Sequence, residues 1–481
     1  MTHTLLVSAV GTTIGIDVSA LDEGDAAAVR AAWADATVDA DAGEPVTTVI
    51  PGSGARASML MRLSQQVTLA AIEAGRRELW MLHAAGVATD AGDVVVFVGP
   101  SGRGKTTASR ALGQSFGYLS DETIGIELDG RVRVYRKPLS IIEDRAQPKV
   151  ERAPSSIGLL PIPDAELRVR AIVLLDRQPE HDGPPVLGEV DLGDALAELV
   201  AQTSYLPDLE APLRFIAAVA AATGGIRSVT YREAVELPGI IPDLVVGDAV
   251  APVMADAAAP EAPNPQPVAP SEGPHFTRVT PRDELALEDP DRVAVLTVDA
   301  HKRGTVHVIA GIAPALWRAA GQSNGSTLEA LTEAALAAYG EPPADEPTGQ
   351  EDAAVTAVRL AVGQLLDEGL LTTDEPRYHR HPEVAWVDRE DRVVALALEG
   401  PLGQPQVLTG SAALIWDWLE HPVTLTQLVS RSMDVAGVEA SGAIPEQVRV
   451  FIDGLVASRL VTTWDDPEDV QDVHPDETGQ E

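Results

Sequence analysis

The run Gly99-Pro100-Ser101-Gly102-Arg103-Gly104-Lys105-Thr106-Thr107 has residue types and spacing that imply chemistry. It meets the pattern G-x-x-x-x-G-K-[ST] at Gly99, Gly104, Lys105 and Thr106. Glycines at this spacing turn consecutive backbone N–H groups into one concavity that cradles phosphate oxygens; Ser101, Gly102 and Arg103 complete that cradle. Thr106 opens a helix whose N-terminal dipole favours the same negative charge. Lys105 supplies a point charge for β- and γ-phosphates, and the Thr106 hydroxyl can join a Mg²⁺ shell. Thr107 is in reach of a further phosphate oxygen.

The next acids are Asp121-Glu122, 16 residues beyond Lys105. A helix, a turn and a strand fit in that gap and would return the pair to the mouth of the loop. Acids there can bind Mg²⁺ or take a proton from an incoming hydroxyl. A surface acid pair is the alternative in so acidic a chain. Asp176, which ends "RAIVLLD", is a second candidate acid, ranked below Asp121. His83 is expected on a strand beside the loop, either facing the site or satisfied in the core.

These residues need elements to hold them. "MLHAAGVATDAGDVVVFVG" predicts a hairpin turning at Asp90-Ala91-Gly92, whose second strand feeds the loop. "TIGIELDGRVRVY" predicts another, turning at Asp129-Gly130. "RAIVLLD" (Arg170–Asp176) has the pattern of a buried strand, and helices are predicted near 58–74, 192–202 and 212–222. The expectation is an α/β domain over residues 1–250. The Pro- and Ala-rich stretch 251–288 reads as a linker.

An internal repeat follows. "RVAVLTVD", "ALW", "TLEAL" and "AVGQLLDEGLLTT" recur as "RVVALALE", "LIW", "TLTQL" and "FIDGLVASRLVTT", at offsets of 100, 99, 97 and 90 residues. Each copy, 289–375 and 376–466, predicts a small winged-helix-like α+β unit. Trp317 and Trp416 read as core anchors. Residues 467–481 form an acidic tail, expected to be disordered.

Composition narrows the function classes. The chain has 481 residues, 45% hydrophobic content, no cysteine and a formal net charge of -38. Disulfides, thiolate metal sites and a cysteine nucleophile are excluded. The charge opposes nonspecific binding to nucleic acid or an anionic membrane. The repeats carry 5 basic and 10 acidic residues over 292–373, and 5 and 9 over 389–464, so peptide or protein recognition is favoured over DNA. No signal peptide or membrane span is read, and a cytoplasmic location is the expectation. Only four lysines occur, and one of them sits in the loop.

The stretch "LHAAGVATDAGDVVVFVGPSGRGKTTASRAL…GYLSDETIGI" resembles the HPr serine kinase family, with its PEP-carboxykinase-like P-loop fold. The resemblance implies ATP and Mg²⁺ as cofactors, Asp121 as the acid acting on an acceptor hydroxyl, and Glu122 as an acid on the metal side. The family's Asp is replaced by Glu at 122, and its later metal-binding glutamate signature is not found; "YRKPLSII" occupies that region. The two C-terminal copies resemble PqqD-type modules, which implies capture of a leader peptide by residues 289–466. Together these imply an ATP-dependent kinase of a serine or threonine hydroxyl on a peptide or protein. An ATP-hydrolysing regulator and a non-catalytic nucleotide-binding adaptor stay open.

Overall fold

The computed structural model describes residues 3–39, 41, 43–100, 104–141, 149–247, 250–254, 273–287, 291–322, 325–341, 353–398, 404–437 and 443–464. Three expectations lie wholly or partly outside these residues: Ser101, Gly102 and Arg103 of the loop, much of the linker, and the acidic tail. The chain is a mixed α/β protein that divides into two compact units, Met1–Ala258 with Pro281–Val308, and Ala259–Thr280 with Ile309–Glu481.

The first unit opens with strands β1 (Thr4–Ala9) and β2 (Thr12–Asp17), helix α1 (Glu23–Ala32), strand β3 (Thr47–Val49) and helix α2 (Arg56–Ala74). Val29 and Trp33, and Leu63, Val67 and Ala71 at helical spacing on α2, close a core over β1 and β2. Then come β4 (Trp80–Leu82), β5 (Ala84–Ala88), β6 (Asp93–Val98), α3 (Lys105–Gly113), β7 (Gly117–Ser120), β8 (Ile124–Ile126) and β9 (Val132–Arg133). A pair, β10 (Leu139–Ile141) and β11 (Val150–Arg152), precedes the long β12 (Arg168–Arg177). β13 (Val186–Val190), α4 (Leu192–Ala201), β14 (Thr203–Ser204), α5 (Pro212–Ala222), β15 (Ile226–Tyr231) and α6 (Ile241–Leu244) follow.

The main sheet runs β13-β15-β12-β6-β5-β7. Its centre is parallel: β6 pairs with β12, and β12 with β15. Val94, Val96 and Val98 face Leu196, Leu199 and Phe215 from the α4–α5 side, while Val95 and Phe97 face Ala108 and Leu112 of α3. Burial on both faces explains why "VVVFV" has no polar alternation. Both predicted hairpins occur, as β5–β6 and β8–β9. A smaller sheet, β14-β4-β8-β9, lies beside the main one.

The repeat is visible element by element. The first copy has β16 (His275–Arg278), β17 (Asp283–Leu287), β18 (Arg292–Val298), β19 (Gly304–Ile309), α7 (Ala313–Ala319), β20 (Ser326–Thr327), α8 (Leu328–Tyr339), α9 (Ala353–Asp367) and β21 (Leu371–Thr373). The second has β22 (Arg377–Arg380), β23 (Val384–Arg389), β24 (Arg392–Ala397), β25 (Gln406–Thr409), α10 (Ser411–Trp418), β26 (Val423–Thr424), α11 (Leu425–Ala436), α12 (Ile444–Ala457) and β27 (Val461–Trp464). The three-stranded sheets match too: β20-β16-β21 with β26-β22-β27, and β17-β18-β19 with β23-β24-β25. Thr327 and Thr424 each cap a helix through the side-chain oxygen. Trp317 and Trp416 are fully buried, and Arg278 and Arg380 each lie 5.1 Å over them. Both are core anchors. Strands β16 and β17 lie within 251–288, and residues 289–308 fall in the first unit.

Candidate functional site

The loop after β6 leads into α3, whose N-cap Gly104 has φ +96°, a left-handed conformation that a side chain would strain. No acid occupies the first turn of α3, so nothing on that helix competes for its N-terminal N–H groups. Lys105 begins the helix and is 6% exposed. Its Nζ donates to the Gly99 carbonyl at 2.6 Å, and among the described residues it makes no ion pair. Burial pulls its pKa below the ordinary lysine value. Thr107 is exposed on the same turn. The three parallel strands end together, so Arg177 and Tyr231 lie beside Gly104. The Tyr231 hydroxyl is buried and has no hydrogen-bond partner among the described residues.

Between Lys105 and the acid pair the chain forms α3, a turn and β7, and β7 pairs with β5. This brings Asp121 back to the start of α3. The Thr106 hydroxyl donates to Asp121 Oδ2 at 2.9 Å, and the Tyr118 hydroxyl to Oδ1 at 3.2 Å. Ser120 Oγ accepts from the backbone N–H groups of Glu122 and Thr123, each at 3.2 Å, which fixes the turn. Burial, then the charge of Asp121, push the Tyr118 phenol well above its ordinary pKa, so it remains a donor.

Lys137 was not singled out from the sequence, although it lies in "YRKPLSII" and is one of only four lysines. Its Nζ lies 2.8 Å from Glu122 Oε2 and 3.7 Å from Asp121 Oδ1, with the side chain 7% exposed. Burial alone would lower its pKa, but the charges of Asp121 and Glu122 hold it well above the usual value. Glu151 on β11 was also missed. It is buried, accepts from the Ser140 hydroxyl, and has no hydrogen-bond partner for Oε2 among the described residues. Burial raises its pKa against the Ser140 hydrogen bond. Its signal in the sequence is weak: an acid in a three-residue strand.

His83 sits at a bend between β4 and β5, where the chain passes from the small sheet to the main one. Its backbone N–H donates to Gln202 at 2.7 Å. Burial, then the Lys105 ammonium, lower its pKa, which favours the neutral imidazole. Asp176 accepts instead from Gln178 and Thr230, at 2.6 and 3.1 Å.

Among the described residues no group of three or more His, Asp or Glu side chains could hold a metal ion. That does not suit a metal cage built from protein alone. A Mg²⁺ arriving with a polyphosphate would need fewer protein donors, because water and phosphate oxygens complete its shell. The Thr106 hydroxyl is the donor at the start of α3, with Asp121 Oδ2 2.9 Å from it. Glu122 is already paired with Lys137.

No helix among the described residues is long and apolar enough to cross a membrane. No protein-family model matches the chain, and no curated protein matches it. Among solved structures, the HPr(Ser) kinase/phosphatase of Coxiella burnetii is similar over 34% of this chain and 93% of that one, at 12% identity and a TM-score of 0.18. At that level the likeness carries no conclusion.

Proposed function

We propose that the chain is an ATP-dependent phosphotransferase acting on a serine or threonine hydroxyl of a peptide or protein. The observation that carries this reading is a buried lysine at the opening of α3 that makes no ion pair among the described residues, with Asp121 held 2.9 Å from the next residue's hydroxyl. Lys105 and the α3 N-terminus would bind the phosphates; Thr106 would share the Mg²⁺ that neutralises developing charge. The acceptor oxygen forms the new bond to the γ-phosphorus, the bond to the β,γ-bridging oxygen breaks, ADP leaves, and the hydroxyl proton passes to Asp121. His83 is the reserve base.

The repeats supply acceptor capture in this reading. An open groove of about 590 Å³ lies between β25 and α12, lined by Gln406, Val450, Phe451 and Leu455. β25 is the terminal strand of its sheet, which supports strand addition by an extended peptide such as a leader segment.

The adaptor reading also has an observation in its favour. Both Asp121 oxygens are already engaged, by Thr106, Tyr118 and Lys137. Such an acid suits holding shape as well as taking a proton.

Thermal unfolding of the full chain tests the nucleotide site. Mg·ATP at about 100 times its dissociation constant should add about 2.7 kcal/mol. That shifts the first unit's melting by about 5–10 °C. Lys105→Ala should remove most of the shift. An equal shift in both proteins would place the nucleotide elsewhere.

A further inference from the structure

Strand β24, "RVVALA", is apolar on both faces, although it lies at the centre of a three-stranded antiparallel sheet. Such a sheet normally shows water a polar face. One face is accounted for: Val393, Ala395 and Leu408 are buried in the core of the second copy. The other carries Ala385 and Val387 from β23, Val394, Leu396 and the adjoining Leu398, and Val407 from β25. Val387, Leu398 and Val407 are 52%, 57% and 57% exposed.

The first copy shows what that face does when it is covered. By strand register, Leu285, Ala294 and Leu296 correspond to Val387, Val394 and Leu396. With Val306 and Val308, these residues pack into the core that holds Leu196 and Leu199 of α4. Arg292 completes the contact, its guanidinium 2.6 Å from Asp191, the N-cap of α4, and 3.5 Å from Asp194 in the first turn. Its counterpart Arg392 is half exposed and, among the described residues, pairs with its neighbour Asp391. Arg389 stands beside it, and the exposed Glu383 lies across from Leu398 at the other end of this face.

We propose that the exposed face of β23-β24-β25 is a docking surface for a helix of a second protein, apolar along one side and acidic in its first turn. The repeat supplies the apolar match, and Arg389 and Arg392 supply the charge that selects an acidic helix start. The polar latch of the first copy is not repeated: where Asp283 accepts from the Leu213 N–H, the second copy has Ala385. The partner therefore resembles α4 and not the whole surface around it. This inference rests on the repeat and is independent of the nucleotide reading.

The probe is a fluorescent peptide of residues 190–203, kept helical by a covalent bridge across its outward positions 197 and 201, titrated onto the full chain. Saturable binding of one peptide per chain is expected, with a scrambled sequence inert. Val387→Asp and Val407→Asp, both at exposed positions, should each weaken it about tenfold or more. Arg392→Glu should weaken it about threefold and flatten its salt dependence. Val450→Asp in the α12 groove and Lys105→Ala should leave it unchanged. No saturable binding by the wild type up to about 1 mM would overturn the proposal. So would loss in Val450→Asp with retention in Val387→Asp, which would put the peptide in the groove. Sedimentation showing self-association that Val407→Asp abolishes, with no peptide bound, would assign the face to a second copy.

Discussion

Two buried lysines share the candidate site, and their environments assign them opposite roles. Lys105 makes no ion pair among the described residues and donates only to a loop carbonyl, whereas Lys137 neutralises Asp121 and Glu122. Lys105→Ala should therefore cost little stability while removing nucleotide binding. Lys137→Met leaves a buried carboxylate without its cation and should cost about 3 kcal/mol, read as a lower denaturant midpoint. A neutral result for Lys137→Met would mean the pair is solvent-screened. The sequence made Lys105 legible because a motif fixes its neighbours. It hid Lys137 because the residue reaches its partners from 15 positions away and belongs to no motif. His83 gives a test by pH. Its folded-state value lies below the ordinary 6.5 through burial and Lys105, so the unfolded chain binds more protons just below that pH. Its share of stability is present above 6.5 and is lost as pH falls through it. His83→Gln should flatten that part of the stability curve; an unchanged slope would mean other groups carry it.

The elements that position the site were legible where pattern and turn chemistry agree. β5–β6, β8–β9 and β12 follow from apolar runs and from Gly-containing turns. The break at His83 did not, because the apolar run from Trp80 to Ala88 continues while its pairing changes sheet. The repeat was legible from spacing, whereas the packing of its first sheet on the first unit needed three dimensions. The helices of the repeats give a test of their own. A Cβ placed on Gly363 of α9 would overlap the Ser430 side chain of α11, so these helices touch through a glycine. Gly363→Ala gains about 1 kcal/mol of helix propensity. The clash should outweigh this and cost about 1–3 kcal/mol net. Ser430→Gly in the same chain should recover most of it. A stabilised Gly363→Ala single variant would mean that the helices have room to separate.

At the scale of the whole molecule, a net charge of -38 sets the conditions under which every site works. Self-repulsion of that size opposes compactness. The screening length falls from about 30 Å at 0.01 M salt to about 8 Å at 0.15 M. The melting temperature should rise over that range, and a flat profile would mean the charges are already locally compensated. The same field repels polyanions, so in the proposed reading Lys105 and the α3 N-terminus would have to overcome it locally for a nucleotide to bind. The measurement that tests the phosphotransferase reading most directly is transfer from labelled ATP to serine- and threonine-bearing peptides captured by the chain, with wild type and Asp121→Asn compared at equal nucleotide occupancy. The account predicts transfer by the wild type, and a fall of about 10²–10⁴-fold in Asp121→Asn with ATP affinity nearly unchanged. Full transfer by Asp121→Asn would put the base elsewhere, and bound ATP without transfer to any peptide would contradict the phosphotransferase and leave the adaptor.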